Sequence, residues 1–152
     1  IEAICQKCAE TGIDGLIIPD LPVDVFHKEY LLIFEKYGIF NVFLITPQTS
    51  DERIKYIDTI SKGFIYMVSS ASTTGAKNSF DQNQENYFQR IEGLQLNTPQ
   101  IVGFGISNHE TITQATQHAR GAIIGSAFVK FLKEHSLNEI PKFINEILGV
   151  PT

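Results

Sequence analysis

The chain has 152 residues, 43% of them hydrophobic and 19% charged, and 17 acidic against 12 basic side chains leave a net charge of −5. That is enough apolar material for one domain with a sizeable core and too little for two. It lies far from the low-hydrophobicity, high-charge composition of disordered chains, and the acidic balance excludes a protein that grips nucleic-acid phosphates.

No apolar run approaches the length of a membrane span, the longest being five to seven residues, as in GLIIP and FNVFLIT. The opening IEAICQKCAE alternates charged with apolar residues and does not read as a signal peptide. Two cysteines, Cys5 and Cys8, cannot make a disulfide framework. A soluble, cytoplasmic, globular protein is expected.

In chain order, short apolar runs alternate with longer segments of helical spacing. Residues 1–11 open the chain in a helical pattern. GLIIP at 15–19 reads as a first strand, and Phe26, Tyr30, Ile33, Phe34 and Tyr37 then fall on one helical stripe. NVFLIT at 41–46 is a second strand; Thr49 and Glu52 form a T-x-x-E capping box ahead of Ile54 and Ile57. GFIYMV at 63–68 and QIVGF at 100–104 are the third and fourth strands. Ser107 and Glu110 repeat the cap signature before Ile112, Ala115 and Ala119, and GAII at 121–124 is the fifth strand. Ile140, Phe143, Ile144, Ile147 and Leu148 define a last helix, which Gly149 and Pro151 stop.

None of the five strands shows clean apolar–polar alternation, as expected of parallel strands under helices. Repeated βα units mean right-handed crossovers on a parallel sheet, either open and doubly wound or part of a (β/α)8 barrel. A whole barrel needs eight strands and about 250 residues. The chain also begins in mid-helix with no strand in front, so the fold expected is α/β, a partial (β/α)8 barrel of five parallel strands with flanking helices.

Ligands of such folds bind at the carboxyl ends of the strands. After the third strand comes SSASTTGAK (69–77), after the fourth GFGIS (103–107), and after the fifth GSA (125–127), opening a helix. Glycine there permits positive φ and close backbone approach, and the N–H groups of a turn and a helix N-terminus favour an anion. Ser126 can cap its helix and offer its hydroxyl. Three such turns look like a phosphate cradle that needs no arginine, although each singly also fits an ordinary βα turn.

Other residues invite less. Cys5 and Cys8 lie within a helix, where a redox or zinc role is not favoured. His27, His109, His118 and His135 lack metal-ligand spacing and are read as surface residues. Asp20, directly after the first strand, divides evenly between a turn residue and a functional rim contact. Tyr66 and Phe104 are either core or a stacking surface for a planar ligand. The strand ends offer Asp20, serines and threonines, so the binding half of a site is present and the proton-transfer half is not.

IPDLP (18–22), S-x-A-x-x-TGA (69–76), GFGIS (103–107) and GSA-x-VK (125–130) resemble, in order and spacing, the motifs of tryptophan synthase alpha chains over essentially the whole sequence. The resemblance implies a (β/α)8 lyase that cleaves indole-3-glycerol phosphate to indole and glyceraldehyde 3-phosphate. It implies a partner, the beta chain, which carries the pyridoxal phosphate, so that no cofactor belongs to this chain. By the same resemblance Gly75, Gly105, Gly125 and Ser126 match the phosphate-binding turns. Tyr66 and Phe104 border the indole pocket with Ile17 and Leu44 as apolar neighbours, Thr74 belongs to the loop that closes over substrate, and Asp20 faces the beta chain. Ser70 stands where the family usually has arginine, and Ser72 where it has glycine, which puts the details of loop ordering in question.

The family's catalytic glutamate and aspartate precede residue 1, so the chain is expected to correspond to strand four onward and to lack lyase activity by itself. Its open strand edges are expected to favour self-association. The rival readings are another phosphate-binding barrel enzyme, such as indole-glycerol-phosphate synthase or a histidine-pathway isomerase, and a non-catalytic phosphate-binding half-barrel module.

Overall fold

The computed structural model describes residues 1–69 and 79–150. Helix α1 (Glu2–Thr11) ends on Gly12 in the left-handed region, and both of its cysteines turn into the core as free thiols. Strand β1 (Gly15–Ile17) leads through a turn closed by Leu21 N–H to the Ile18 carbonyl into α2 (Val23–Val25). The backbone then widens into a single π-helical stretch, Phe26–Tyr30, before α3 (Leu31–Tyr37). The stripe read from the sequence as one helix is therefore helical throughout but changes its winding, which brings Phe26 edge-on to both Phe34 and Phe43.

The expected second strand is divided. Its first part, β2 (Phe40–Val42), pairs with β1, and its second, β3 (Leu44–Ile45), pairs with the strand on the other side. Phe43 lies between them, where the ladder changes edge. Parallel strands that tilt and stagger use their two edges at different heights, and short runs then meet each neighbour over only part of their length. The remaining elements are α4 (Asp51–Ile60), β4 (Ile65–Val68), α5 (Gln82–Gly93), β5 (Gln100–Gly103), α6 (His109–His118), β6 (Gly121–Ala122), α7 (Ser126–Glu134), a 3-10 turn (Leu137–Glu139) and α8 (Ile140–Leu148). Every described pairing is parallel, in the order β1-β2 and β3-β4-β5-β6. Five expected strands thus appear as six segments, each shorter than its apolar run.

In parallel strands, register partners share a face. Ile45, Met67 and Val102 form one row, and together with Ile65 they are fully buried beneath Phe34, Ile54, Phe88 and Ile91 of the helices. The opposite face is open: Ile17 is 48% and Phe40 38% exposed, and they line a shallow cleft of about 250 Å³ with Val42 and Phe64. Only the helix-covered side of the sheet has the continuous burial that its apolar strands call for.

Caps fall one residue from where the sequence placed them. Ser50, not Thr49, caps α4 by accepting from Arg53 N–H, while the Thr49 hydroxyl accepts from Thr46 N–H. Asn108, not Ser107, forms the box of α6 with Thr111. A capping box at Asp81 and Gln84, unforeseen in the sequence, starts α5. Ser50, Asp81 and Asn108 have short side chains that each accept from the backbone N–H three places on, so adjacent candidates compete and the chain direction decides.

Two long-range ties pin the helices. Arg90 on α5 donates to the carbonyls of Pro47 and Thr49 and to the Asp51 carboxylate. Asp58 on α4 accepts from the backbone N–H groups of Asn97 and Thr98 ahead of β5. No helix among the described residues is long and apolar enough to cross a membrane.

Candidate substrate site at the carboxyl ends of the strands

Leu44, Tyr66 and Ile101 are register partners across β3, β4 and β5 and so lie in one row on the open face of the sheet. Tyr66 is half-buried, and burial raises its phenol above the ordinary value, which keeps it neutral. Its ring meets that of Phe104 edge-on, with centroids 5.9 Å apart. The two rings make a short aromatic wall at the end of β4 and β5. Ile17 shares this open face farther along, in the row of Val42 and in the cleft with Phe40, so the structure joins Leu44, Tyr66 and Phe104 more closely than it joins Ile17 to them.

The wall depends on Gly103. A Cβ on this residue would fall within the Tyr66 ring, against Oη, Cζ and Cε1. The glycine ending β5 is thus not a spare turn residue but the space in which Tyr66 lies. Positive φ falls instead on the next two residues, Phe104 at 66° and Gly105 at 76°. For glycine that region is free; for a phenylalanine it is a genuine outlier.

Strands β5 and β6 are adjacent, with Val102 opposite Ala122 and Ile123 N–H donating to the Val102 carbonyl at 2.8 Å. The turn carrying Gly105 therefore stands next to the one carrying Gly125. Gly125 is the N-cap of α7 and Ser126 its first helical residue; no side chain caps this end, which corrects the expected capping role of Ser126. Both residues are exposed, and the space around Gly125 where a side chain would stand is empty. No described residue accepts from the N–H groups of Gly105, Gly125 or Ser126. The first N–H groups of a helix lack intrahelical partners and carry the positive end of its dipole, so this corner can receive an anion. Thr74 and Gly75, with Ser70 and Ser72, lie outside the described residues.

Asp20 is exposed in the turn after β1 and is the only carboxylate among the described residues that directly follow the strands. Two further features escaped the sequence. Ser69, directly after β4, is fully buried and bonded to the Phe104 turn. His118 is not a free surface histidine: its two ring nitrogens contact Glu92 and Glu85 at 2.7 and 2.6 Å, with only 14% of its side chain exposed. No local pattern announces either one, because each partner lies 26 or more residues away.

The fold and site define the class: a parallel β/α protein that gathers an aromatic wall and anion-receptive glycine turns at the carboxyl end of its sheet. The family model described as "Tryptophan synthase alpha chain" matches residues 1–148. The tryptophan synthase alpha chains of Flavobacterium johnsoniae and Flavobacterium psychrophilum are 67% and 61% identical over 147 residues, covering 97% of this chain and 58% of each relative. A solved tryptophan synthase alpha subunit from Pyrococcus furiosus superposes with a TM-score of 0.82 at 32% identity, over 97% of this chain and 60% of that one. This chain belongs to the tryptophan synthase alpha chain family. It spans somewhat under two thirds of the length of the relatives it matches.

Proposed function

We propose that this chain supplies the phosphate-receiving and indole-contacting part of a tryptophan synthase alpha chain, a lyase of tryptophan biosynthesis that cleaves indole-3-glycerol phosphate to indole and glyceraldehyde 3-phosphate. The reading is carried by one juxtaposition: N–H groups at Gly105 and at the Gly125–Ser126 helix start, without an acceptor among the described residues, stand on the strand ends next to the Tyr66–Phe104 wall. An anionic group and a flat apolar ring are the two ends of that substrate. By the family resemblance Gly75 belongs with the phosphate turns and Thr74 with the loop over the substrate, while Ile17 and Leu44 belong with the apolar side.

In this reaction the indole ring carbon that bears the glycerol chain takes a proton from a carboxylic acid. A base removes the proton of the adjacent glycerol hydroxyl, the C–C bond breaks, and the aldehyde forms. The described strand ends of this chain hold no group suited to either transfer apart from Asp20, which we assign to the face toward the beta chain. The binding corner fixes the substrate for carboxylates that lie elsewhere in the alpha chain. The whole protein is a (β/α)8 barrel acting in the cytoplasm; the pyridoxal phosphate belongs to the beta chain, which consumes the indole. Alone, the 152-residue chain self-associates through its open sheet face and releases no indole.

A chimera tests this. Residues 1–148 replace the matching segment of the Flavobacterium johnsoniae protein, and indole release from indole-3-glycerol phosphate is measured. Activity close to that of the parent is expected, together with none from the 152-residue chain. A folded but inactive chimera, or indole release by the chain alone, would overturn the reading.

A further inference from the structure

Phe104 holds the rarest backbone conformation at this site, and one buried side chain is bonded to it. Ser69 is 1% exposed and every polar group it has is used. Its N–H donates to the Gly103 carbonyl at 3.1 Å, its carbonyl accepts from the Gln84 side-chain amide at 3.1 Å, and its hydroxyl donates to the Phe104 carbonyl at 2.6 Å. Gln84 in turn belongs to the cap of α5, so Ser69 is held from behind by a helix and holds the turn in front of it. A non-glycine residue at positive φ persists only where its surroundings over-determine it. Around Phe104 those surroundings are the Ser69 hydroxyl on the carbonyl side and the Tyr66 ring on the side-chain side.

We propose that Ser69 is a positioning residue of this site: by fixing the Phe104 carbonyl, its hydroxyl keeps Phe104 left-handed and so sets the Phe104 ring against Tyr66 as the wall for a flat apolar ligand. This rests on the reading of the site given above. With Phe104 at negative φ the ring would leave Tyr66 and the following Gly105 N–H would turn with it. Ser69 touches no ligand itself; it acts through the turn.

The test uses the 152-residue chain with S69A, F104G and the double variant, in three readouts: indole affinity by NMR titration, the backbone conformation of residue 104 from its chemical shifts and couplings, and the urea midpoint. S69A is expected to move residue 104 out of the left-handed region and to weaken indole binding on the order of tenfold, the factor that corresponds to about 1.4 kcal/mol. Glycine takes positive φ freely, so in the F104G background S69A is expected to leave the urea midpoint almost unchanged, against a clear drop in the Phe104 background. A bond that merely satisfied a buried carbonyl would cost the same in both. The proposal fails if Phe104 stays left-handed in S69A or if the two midpoint shifts are equal. Should S69A alone not fold, a double variant that folds like F104G supports the proposal and one that fails like S69A overturns it. Absence of indole binding by the unmodified chain would remove the functional reading of the site, while residue 104's conformation and the midpoints would still decide what Ser69 does.

Discussion

Gly103→Ala is the sharpest perturbation of the aromatic wall, because two effects of opposite sign compete there. Gly103 does not have positive φ, so alanine can adopt its backbone, and restricting the unfolded chain would then stabilise by about 0.4–1 kcal/mol. Against this, the new methyl would overlap the Tyr66 hydroxyl oxygen and two atoms of its ring rather than one flexible tip. The ring is rigid, so Tyr66 must swing as a whole and give up its edge-on contact with Phe104. That contact is worth roughly 0.5–1.5 kcal/mol beyond burial, and forced repacking costs typically about 1–3 kcal/mol. The clash wins, with a net loss of about 1–3 kcal/mol, which at a slope of roughly 1–3 kcal/mol per molar urea lowers the midpoint on the order of 1 M. The assay is urea unfolding of four chains: unmodified, G103A, Y66A and G103A/Y66A. With the ring gone the clash is gone, so G103A in the Y66A background is expected to be neutral or stabilising. If G103A destabilises equally with and without Tyr66, the cavity between residue 103 and the ring is not what the glycine serves.

Gly105→Ala meets little steric resistance, its Cβ lying 3.4 Å from the Phe80 ring, but φ of +76° strains it by roughly 1–2 kcal/mol; both the urea midpoint and inorganic-phosphate affinity by NMR are expected to fall. His118 is raised above its ordinary value of 6.5 chiefly by the hydrogen bond to Glu92, burial opposing and Glu85 adding. Its folded pKa exceeding its unfolded one, its contribution to stability is complete below about 6.5 and disappears as pH rises through the folded value. H118Q is expected to flatten that segment of the pH–stability curve, which begins to fall as pH rises above about 6.5. Burial works to raise the Asp58 carboxyl, but hydrogen bonds from Thr98 and Asn97 outweigh it and lower it below 3.8. Its stabilisation is present above that value and is lost as pH falls through the folded pKa, and D58A is expected to cost about 1–3 kcal/mol in urea unfolding at pH 7 by leaving the Thr98 N–H without its acceptor.

The periodic features were legible because they are local. Ile140 to Leu148 form a helix ended by left-handed Gly149, as the spacing and the glycine require. The strands lie within the apolar runs, and the glycines of GFGIS and GSA do fall at strand ends. What went astray did so for identifiable reasons. Thr49 and Ser50, or Ser107 and Asn108, offer nearly the same hydroxyl or amide to the same helix start, and only the entry angle of the chain selects one. His118 read as a surface residue because its carboxylates lie on another helix.

By itself, then, the order of residues determined where the apolar strands and most helices lie, though not α5 or the division of the second strand, that the sheet is parallel, and which glycine-bearing turns end its strands, since these follow from backbone propensities and periodicity over neighbouring positions. The tertiary structure alone decided what the glycines are for. Gly103 makes room for a tyrosine from the adjacent strand, Gly105 takes a positive φ, and Gly125 starts a helix that no described side chain caps. It also placed the left-handed conformation on Phe104 and a buried serine behind it. Those assignments depend on atoms brought together from strands 35 residues apart, and proximity of that kind has no expression in the chain until the sheet has formed.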